Sequence, residues 1–359
     1  MSLTKKIRVG IVGFGVSGRV FHAPFLHTMS DMYELRSVVE RHTNEAEKIY
    51  PYIKTVRSTN ELFDDPNIDL VIITTSNDLH YSLTKEALDK GKHVVVEKPM
   101  TIRSSEALDL IELAKKKNLV ICPYQNRRYD SGYQTIRQII ERKLLGDEIH
   151  DCEIHFDRYR PELKPGNVWR ERNEPGAGIL YDLGSHLIDQ TLSLFGQPQS
   201  ITADIRIQRP TAHVDDCFDL RLDYGHLRVT LKASMLVREP GPRYVLHGAK
   251  GSFIKFGDDI QEGVLRTGAM PTKSSNWGKE PKENDGLLHT ETIDGRIIKE
   301  NYPTLSGNYG LFYEYLYHTI IHGKSLDIRA EDGYNVIRVI ELALQSSQEK
   351  RTMHCDRLL

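Results

Sequence analysis

IRVGIVGFGVSG, residues 7–18, decides the fold of this 359-residue chain. Ile7 to Val12 is a short apolar run, and Gly13, Gly15 and Gly18 follow it with G-x-G-x-x-G spacing. An apolar strand that passes through a glycine-rich loop into a helix is the opening unit of a doubly wound parallel sheet. The first glycine allows the tight turn and the second lets the backbone approach a pyrophosphate. The third lets the helix pack against the strand, and the free N–H groups at the helix start face the anion. Gly13, Phe14, Gly15, Val16, Ser17 and Gly18 are therefore the candidate dinucleotide loop. Pro24 falls within VFHAPFLHTM, residues 20–29, and predicts either a kink or a fresh helical start.

Strands and helices then alternate outward from this unit. The strand predicted over Tyr33–Val39 ends at Glu40, Arg41 and His42, where such a sheet reads the adenosine ribose. A carboxylate there accepts from both ribose hydroxyls and favours NAD, whereas an arginine forks onto a 2′-phosphate and favours NADP. Both residue types are present, so the choice stays open, and both also suit a solvated strand end. After a helix over 43–50 and a short strand near Val56, DLVIITT (69–75) reads as a buried strand. It ends in Thr74, Thr75, Ser76 and Asn77, small polar groups that can meet a ribose or nicotinamide. His80 sits three residues into the next helix, predicted over 78–90, at the same edge, although a lone helical histidine more often packs. HVVVEKPM (93–100) carries the β-branched run Val94–Val96 into Glu97, Lys98 and Pro99. Pro99 stops the strand, and ligands of an open α/β sheet sit beyond the carboxyl ends of its strands, so Lys98 is delivered to that mouth. A helix over 104–117 and a strand over 118–122 complete a dinucleotide-binding domain spanning residues 1–123.

The character changes from residue 124 onward. Tyr124, Gln125, Asn126, Arg127, Arg128 and Tyr129 form a dense polar and aromatic stretch just past a strand end. A helix over 132–143 follows. Period-two segments (HDCEIHFDRYR, SITADIRIQR, CFDLRLDYGHLRVTLKASMLV, RYVLHGAKGSFIKFG) then predict a large, mostly antiparallel sheet. Residues 268–285 read as a loop, and helices are expected near 309–322 and 331–350. The fold class is thus α/β, a Rossmann sheet followed by an α+β domain over 124–359. An antiparallel sheet with helices on one face leaves the other to be covered, which predicts a homodimer or higher homo-oligomer.

Net charge is −2, which argues against nucleic-acid and anionic-membrane partners. No apolar run reaches the ~18 residues of a membrane helix. The amino terminus lacks the apolar segment and cleavage site of a secretory signal, and the cysteines Cys122, Cys152, Cys217 and Cys355 are too scattered for a zinc ribbon or redox pair. A cytoplasmic location and no metal are the expectations.

One stretch of the second domain stands apart: GAGILYDLGSHLID, residues 176–189. Asp182 and His186 are four apart and share a face if the helix begins by Asp182. An imidazole titrates near working pH and can take a hydroxyl proton, and a nearby carboxylate can orient it. Equally, Asp182 can cap the helix while His186 packs.

Together, the glycine loop, Glu97-Lys98-Pro99 and Asp182…His186 resemble the Gfo/Idh/MocA oxidoreductase family over essentially the whole chain. PYQNRRYD, HFDRYRPE, YDLGSHLIDQTL and GYNVIRVIELALQSSQEKRT are most similar to its NADP-dependent scyllo-inositol 2-dehydrogenase branch. The resemblance implies hydride transfer between nicotinamide C4 and a ring hydroxyl carbon of a cyclitol or sugar, with a scyllo-inositol-like substrate favoured. It makes His186 the acid/base, has Asp182 hold substrate and histidine, and places Lys98 on the reacting oxygen, after a Lys98–Pro99 bond that is often cis in the family. Cofactor contacts are expected from the glycine loop, Glu40, Arg41, Thr75, Ser76, Asn77, His80, Glu97, Lys98 and Gln125, with NADP favoured over NAD. Asn126, Arg128, Tyr159, Arg160 and Trp169 are candidates for the polyol pocket. The chain departs from the branch pattern at Glu40, where a small residue is usual, and at Ala177. A dinucleotide-binding sensor without turnover is the alternative.

Overall fold

The computed structural model describes residues 5–165, 168–272, 274, 276–356 and 358–359. The chain forms two compact units: residues 1–126, 261–277 and 309–334, and residues 127–260, 278–308 and 335–359. The amino-terminal residues 1–4, and residues 273 and 275 of the expected loop, lie outside the described residues.

The first unit holds a six-stranded sheet: β1 (Ile7–Val12), β2 (Tyr33–Val39), β3 (Lys54–Val56), β4 (Leu70–Ile73), β5 (His93–Val96) and β6 (Ile121–Pro123). Its order is β3-β2-β1-β4-β5-β6 and all neighbours run parallel. Leu70–Ile73 and Val94–Val96 are wholly buried, as an unbroken apolar run must be between two helical layers. The register aligns the carboxyl ends: Val12 pairs with Val39 and Ile73, Ile73 with Val96, and Val96 with Pro123. Gly13, Glu40, Thr74, Glu97 and Tyr124 therefore leave the sheet side by side. That row is the edge expected to bind a ligand.

The helix after the glycine loop starts twice. A π-turn covers Gly18–His22, and an α-helix, Ala23–Thr28, begins afresh with Pro24 in its first turn, where the missing N–H costs nothing. Gly310–His322 also belongs to this unit although it lies far along the chain. Tyr313 stacks on Phe25 at 5.6 Å, meets Tyr33 edge-on at 5.9 Å, and accepts at its carbonyl from the Tyr33 hydroxyl at 2.7 Å.

The second unit holds a nine-stranded sheet: β7 (Ile149–His155), β8 (Ser200–Arg206), β9 (Cys217–Asp223), β10 (Arg228–Ser234), β11 (Tyr244–Gly248), β12 (Gly251–Lys255), β13 (Gly286–Glu291), β14 (Ile297–Tyr302) and β15 (Met353–His354). Its order is β14-β13-β12-β11-β7-β10-β9-β8-β15, antiparallel except where β7 runs parallel to β10. The β13–β14 hairpin was not read from the sequence. Its signal was Asp294-Gly295, with Gly295 at φ +79°, a common hairpin turn pair. Among the described residues, no helix is long and apolar enough to cross a membrane and no group of three or more His, Cys, Asp or Glu could hold a metal.

Candidate active site

At the edge of the first unit the glycines divide their work. Gly13 has φ +93°, and the Thr74 hydroxyl donates to the carbonyls of Val12 and Gly13 at 3.0 Å each, fixing the turn. A Cβ on Gly18 would lie 2.6 Å from the Gly13 carbonyl oxygen, so only glycine lets the helix start this close to the strand. A Cβ on Gly15 would meet nothing within 4 Å, and Val16 beside it is exposed. Gly15 is thus free of packing demands and bare on its outer side, as close approach of a pyrophosphate requires.

Glu97 ties this loop to the strand that delivers Lys98. It accepts from the Ser17 hydroxyl, from His22 Nε2 at 3.1 Å and from the Lys98 backbone N–H at 3.0 Å. His22, wholly buried, meets the Tyr313 hydroxyl through Nδ1 at 2.7 Å. Burial pushes the Glu97 carboxyl up, but bonds from His22 and Ser17 and the charges of His22 and Lys98 more than offset it, leaving it at about 2. Glu97 is therefore a fixed anion that braces the glycine loop. The Lys98–Pro99 bond is cis, and Lys98 is half-buried.

His80 is wholly buried, with Nδ1 2.7 Å from the Pro99 carbonyl and Nε2 3.3 Å from that of Thr75. Burial lowers its pKa. The ring lies between the Thr75 carbonyl and the Lys98–Pro99 turn, and its neutral form has one N–H for the two carbonyls. Thr75 and Ser76 are half-buried and Asn77 buried, just past β4. Gln125, two residues past β6, is 1% exposed, and its Oε1 has no hydrogen-bond partner among the described residues. A buried amide oxygen left without a donor calls for a ligand group.

The fold parts Glu40 from Arg41. The Glu40 carboxylate turns inward, 6% exposed, and accepts from the Thr43 hydroxyl and from the backbone N–H groups of Glu45 at 3.0 Å and Ala46 at 2.7 Å. It thus serves the amino-terminal turn of the helix Glu45–Ile49. Arg57 clamps the same loop, donating to the carbonyls of Glu40 at 2.7 Å and Thr43 at 2.6 Å. Arg41 is exposed, and no described residue pairs with it.

In the second unit, Asp182 sits in a π-turn, Leu180–Gly184, that runs into the helix Ser185–Phe195. Helical backbone thus begins before Asp182, which is not the cap of the following helix: Gly184 holds that position. Asp182 accepts from Arg170 Nε at 3.3 Å, and His186 is 5% exposed. π-Turns inside helices are frequent at functional sites, and the insertion follows Gly176 and Gly178, both at positive φ. Arg128 forks onto Asp189, at 2.8 Å from Nε and 2.7 Å from Nη2, so its guanidinium is committed within the buried core. Tyr159 is exposed under the Arg238 guanidinium, 3.9 Å from the ring centroid, and Trp169 carries Arg170 at 4.4 Å. Asn126, at the end of the first unit, is buried. Arg160, Arg170, Lys164 and Asp182 line one cleft; the sequence reading missed Lys164 and Arg170, which no motif marks.

These features meet their counterparts among known proteins. The family described as "Oxidoreductase family, NAD-binding Rossmann fold" matches residues 7–125, and "Oxidoreductase family, C-terminal alpha/beta domain" matches residues 137–355. The chain is 43% identical to the scyllo-inositol 2-dehydrogenase (NADP(+)) IolW of Bacillus subtilis, over 97% of this chain and 95% of that protein. It is 36% identical to the uncharacterised oxidoreductase YdgJ of Escherichia coli, over 98% and 99%. An oxidoreductase from Bacillus cereus superposes with a TM-score of 0.90 at 33% identity, over 99% of this chain and 100% of that one. Matched by both family descriptions, the chain belongs to the Gfo/Idh/MocA oxidoreductase family and is an NAD(P)-dependent dehydrogenase acting on CH–OH groups.

Proposed function

We propose that the enzyme interconverts a ring hydroxyl and a ketone on a cyclitol or sugar, with scyllo-inositol-like polyols the first compounds to test. The observation that carries this reading is the Glu97 brace, which joins the glycine loop at Ser17 to the strand end that delivers Lys98. When bound, NAD(P) supplies the hydride acceptor or donor. The glycine loop would hold its pyrophosphate, Thr75, Ser76 and Asn77 its ribose and nicotinamide side, and Gln125 Oε1 would accept a hydrogen bond.

His186 takes the hydroxyl proton in this scheme, and Asp182 fixes the substrate and the imidazole. Lys98, a half-buried lysine at the sheet edge, stabilises the oxygen as its charge grows. NADP is the proposed coenzyme: Glu40 is spent inside its own loop, while Arg41 presents a free guanidinium suited to a 2′-phosphate. The open face of the nine-stranded sheet is proposed to pair copies of the chain.

The test is a panel of inositols and sugars, each with NADP and NAD separately, followed at the reduced-nicotinamide absorbance band. Turnover on at least one cyclic polyol, faster with NADP, is expected. No turnover across the panel would overturn the reading.

A further inference from the structure

The cleft beside Asp182 carries more positive charge than its carboxylates balance. Arg158, Arg160, Lys164, Arg170 and Arg209 line it against Glu171, Asp182 and Asp215. Arg209, 3% exposed, is committed to the wall: Nε donates to Asp216 at 2.9 Å, and Nη1 to Glu171 at 3.2 Å and to the Glu162 carbonyl at 3.3 Å. Arg170 is engaged by Asp182 and lies over Trp169. Asp215 is a weak counter-charge, because burial pushes its carboxyl up to about 6 despite the Leu180 N–H donated to it at 2.7 Å.

Arg160 and Lys164 are left over. Among the described residues neither side chain has a hydrogen bond or ion pair, yet the backbone fixes both. The Arg160 N–H donates to the Met235 carbonyl at 2.7 Å, Tyr159 next to it bridges to Leu236, and the Lys164 N–H donates to Glu171 at 2.7 Å. Burial, and then the charge of Arg160, pushes the Lys164 ammonium below its ordinary value. Both side chains are exposed and line the same cleft, and an anion lying with them would relieve their mutual repulsion.

We propose that the substrate is a polyol or sugar bearing an anionic group, a carboxylate or a phosphate, which Arg160 and Lys164 bind beside Asp182. The inference rests on the dehydrogenase reading of Asp182 and His186 and narrows its substrate class. A guanidinium fork and an ammonium together suit either anion, whereas a neutral polyol leaves their repulsion in place.

The experiment measures binding to the cofactor-loaded enzyme by calorimetry, and turnover in parallel, for D-glucose, D-glucuronate and D-glucose 6-phosphate and for the matching galactose set. At least one anionic member should bind about tenfold tighter than its neutral parent, and Lys164→Gln and Arg160→Gln should each reduce that preference about tenfold. A preference for the uronates identifies a carboxylate, and one for the phosphates identifies a phosphate. No anionic member exceeding its parent, or a preference that survives both substitutions, would overturn the proposal. Selective anion binding without any hydride transfer, here and across the panel of inositols and sugars, would support the pocket and refute the dehydrogenase reading. Turnover of neutral polyols with no gain from an anion would do the reverse.

Discussion

Replacing Glu40 by alanine separates two roles that one carboxylate could have. Three bonds from Thr43, Glu45 and Ala46 would be lost at the start of a five-residue helix. A capping side chain contributes ~0.5–2 kcal/mol and a charge at a helix amino terminus ~0.3–1 kcal/mol. The variant should therefore be less stable by roughly 1–2 kcal/mol and melt earlier. Its NADH affinity should move by less than about threefold, because a carboxylate that is 6% exposed and turned into its own loop reads no ribose. A ribose-reading carboxylate would instead lose charge-assisted bonds of ~1.5–3 kcal/mol, which is tenfold or more in NADH affinity. Arg41→Ala supplies the counterpart: NADPH should weaken by about ten- to a hundredfold while NADH stays within about threefold. Fluorescence titration of NADH and NADPH against wild type, Glu40→Ala, Glu40→Gln and Arg41→Ala gives all the numbers. NADH weakened tenfold by Glu40→Ala with NADPH spared would refute the reasoning, since loop collapse would weaken both together.

Gly18→Ala should destabilise the fold by roughly 1–3 kcal/mol, because its Cβ meets the Gly13 carbonyl at 2.6 Å. Gly15→Ala should leave the melting temperature nearly unchanged yet weaken cofactor binding, since nothing in the protein fills that space; thermal melts and titrations check both. Glu97, held at about 2, contributes stability that is complete above the unfolded carboxyl value of ~4.3 and fades as pH falls through the folded value. The melting-temperature gap between wild type and Glu97→Gln should accordingly be widest near neutral pH and shrink progressively from about pH 5 downward.

The parallel sheet was legible because its signals are local. Val94–Val96 could not be half-exposed without cost, and Gly13, Gly15 and Gly18 each answer a separate steric demand within one turn. Glu40 was not legible, because a carboxylate at a strand end has the same letter whether it faces a ligand or caps the next helix; Thr43 and the register of Glu45 and Ala46 decide it. Chain order likewise gave no hint that Gly310–His322 packs on Phe25 and Tyr33, since that depends on aromatic surfaces meeting across some 280 residues. His80 reads as a plausible ligand contact, yet its ring is wholly buried, with Nδ1 2.7 Å from the Pro99 carbonyl. Lys164 carries no motif, and only the folding of its loop onto Glu171 and Arg209 brings it to the cleft.

The most direct measurement compares Lys98→Met and His186→Ala with wild type for both coenzyme affinity and turnover on the best substrate of the panel. An acid–base or oxyanion role predicts a loss of about a hundredfold or more in kcat for each, with coenzyme affinity retained. Near-normal kcat in both variants would contradict the assignment of Lys98 and His186 to the chemistry.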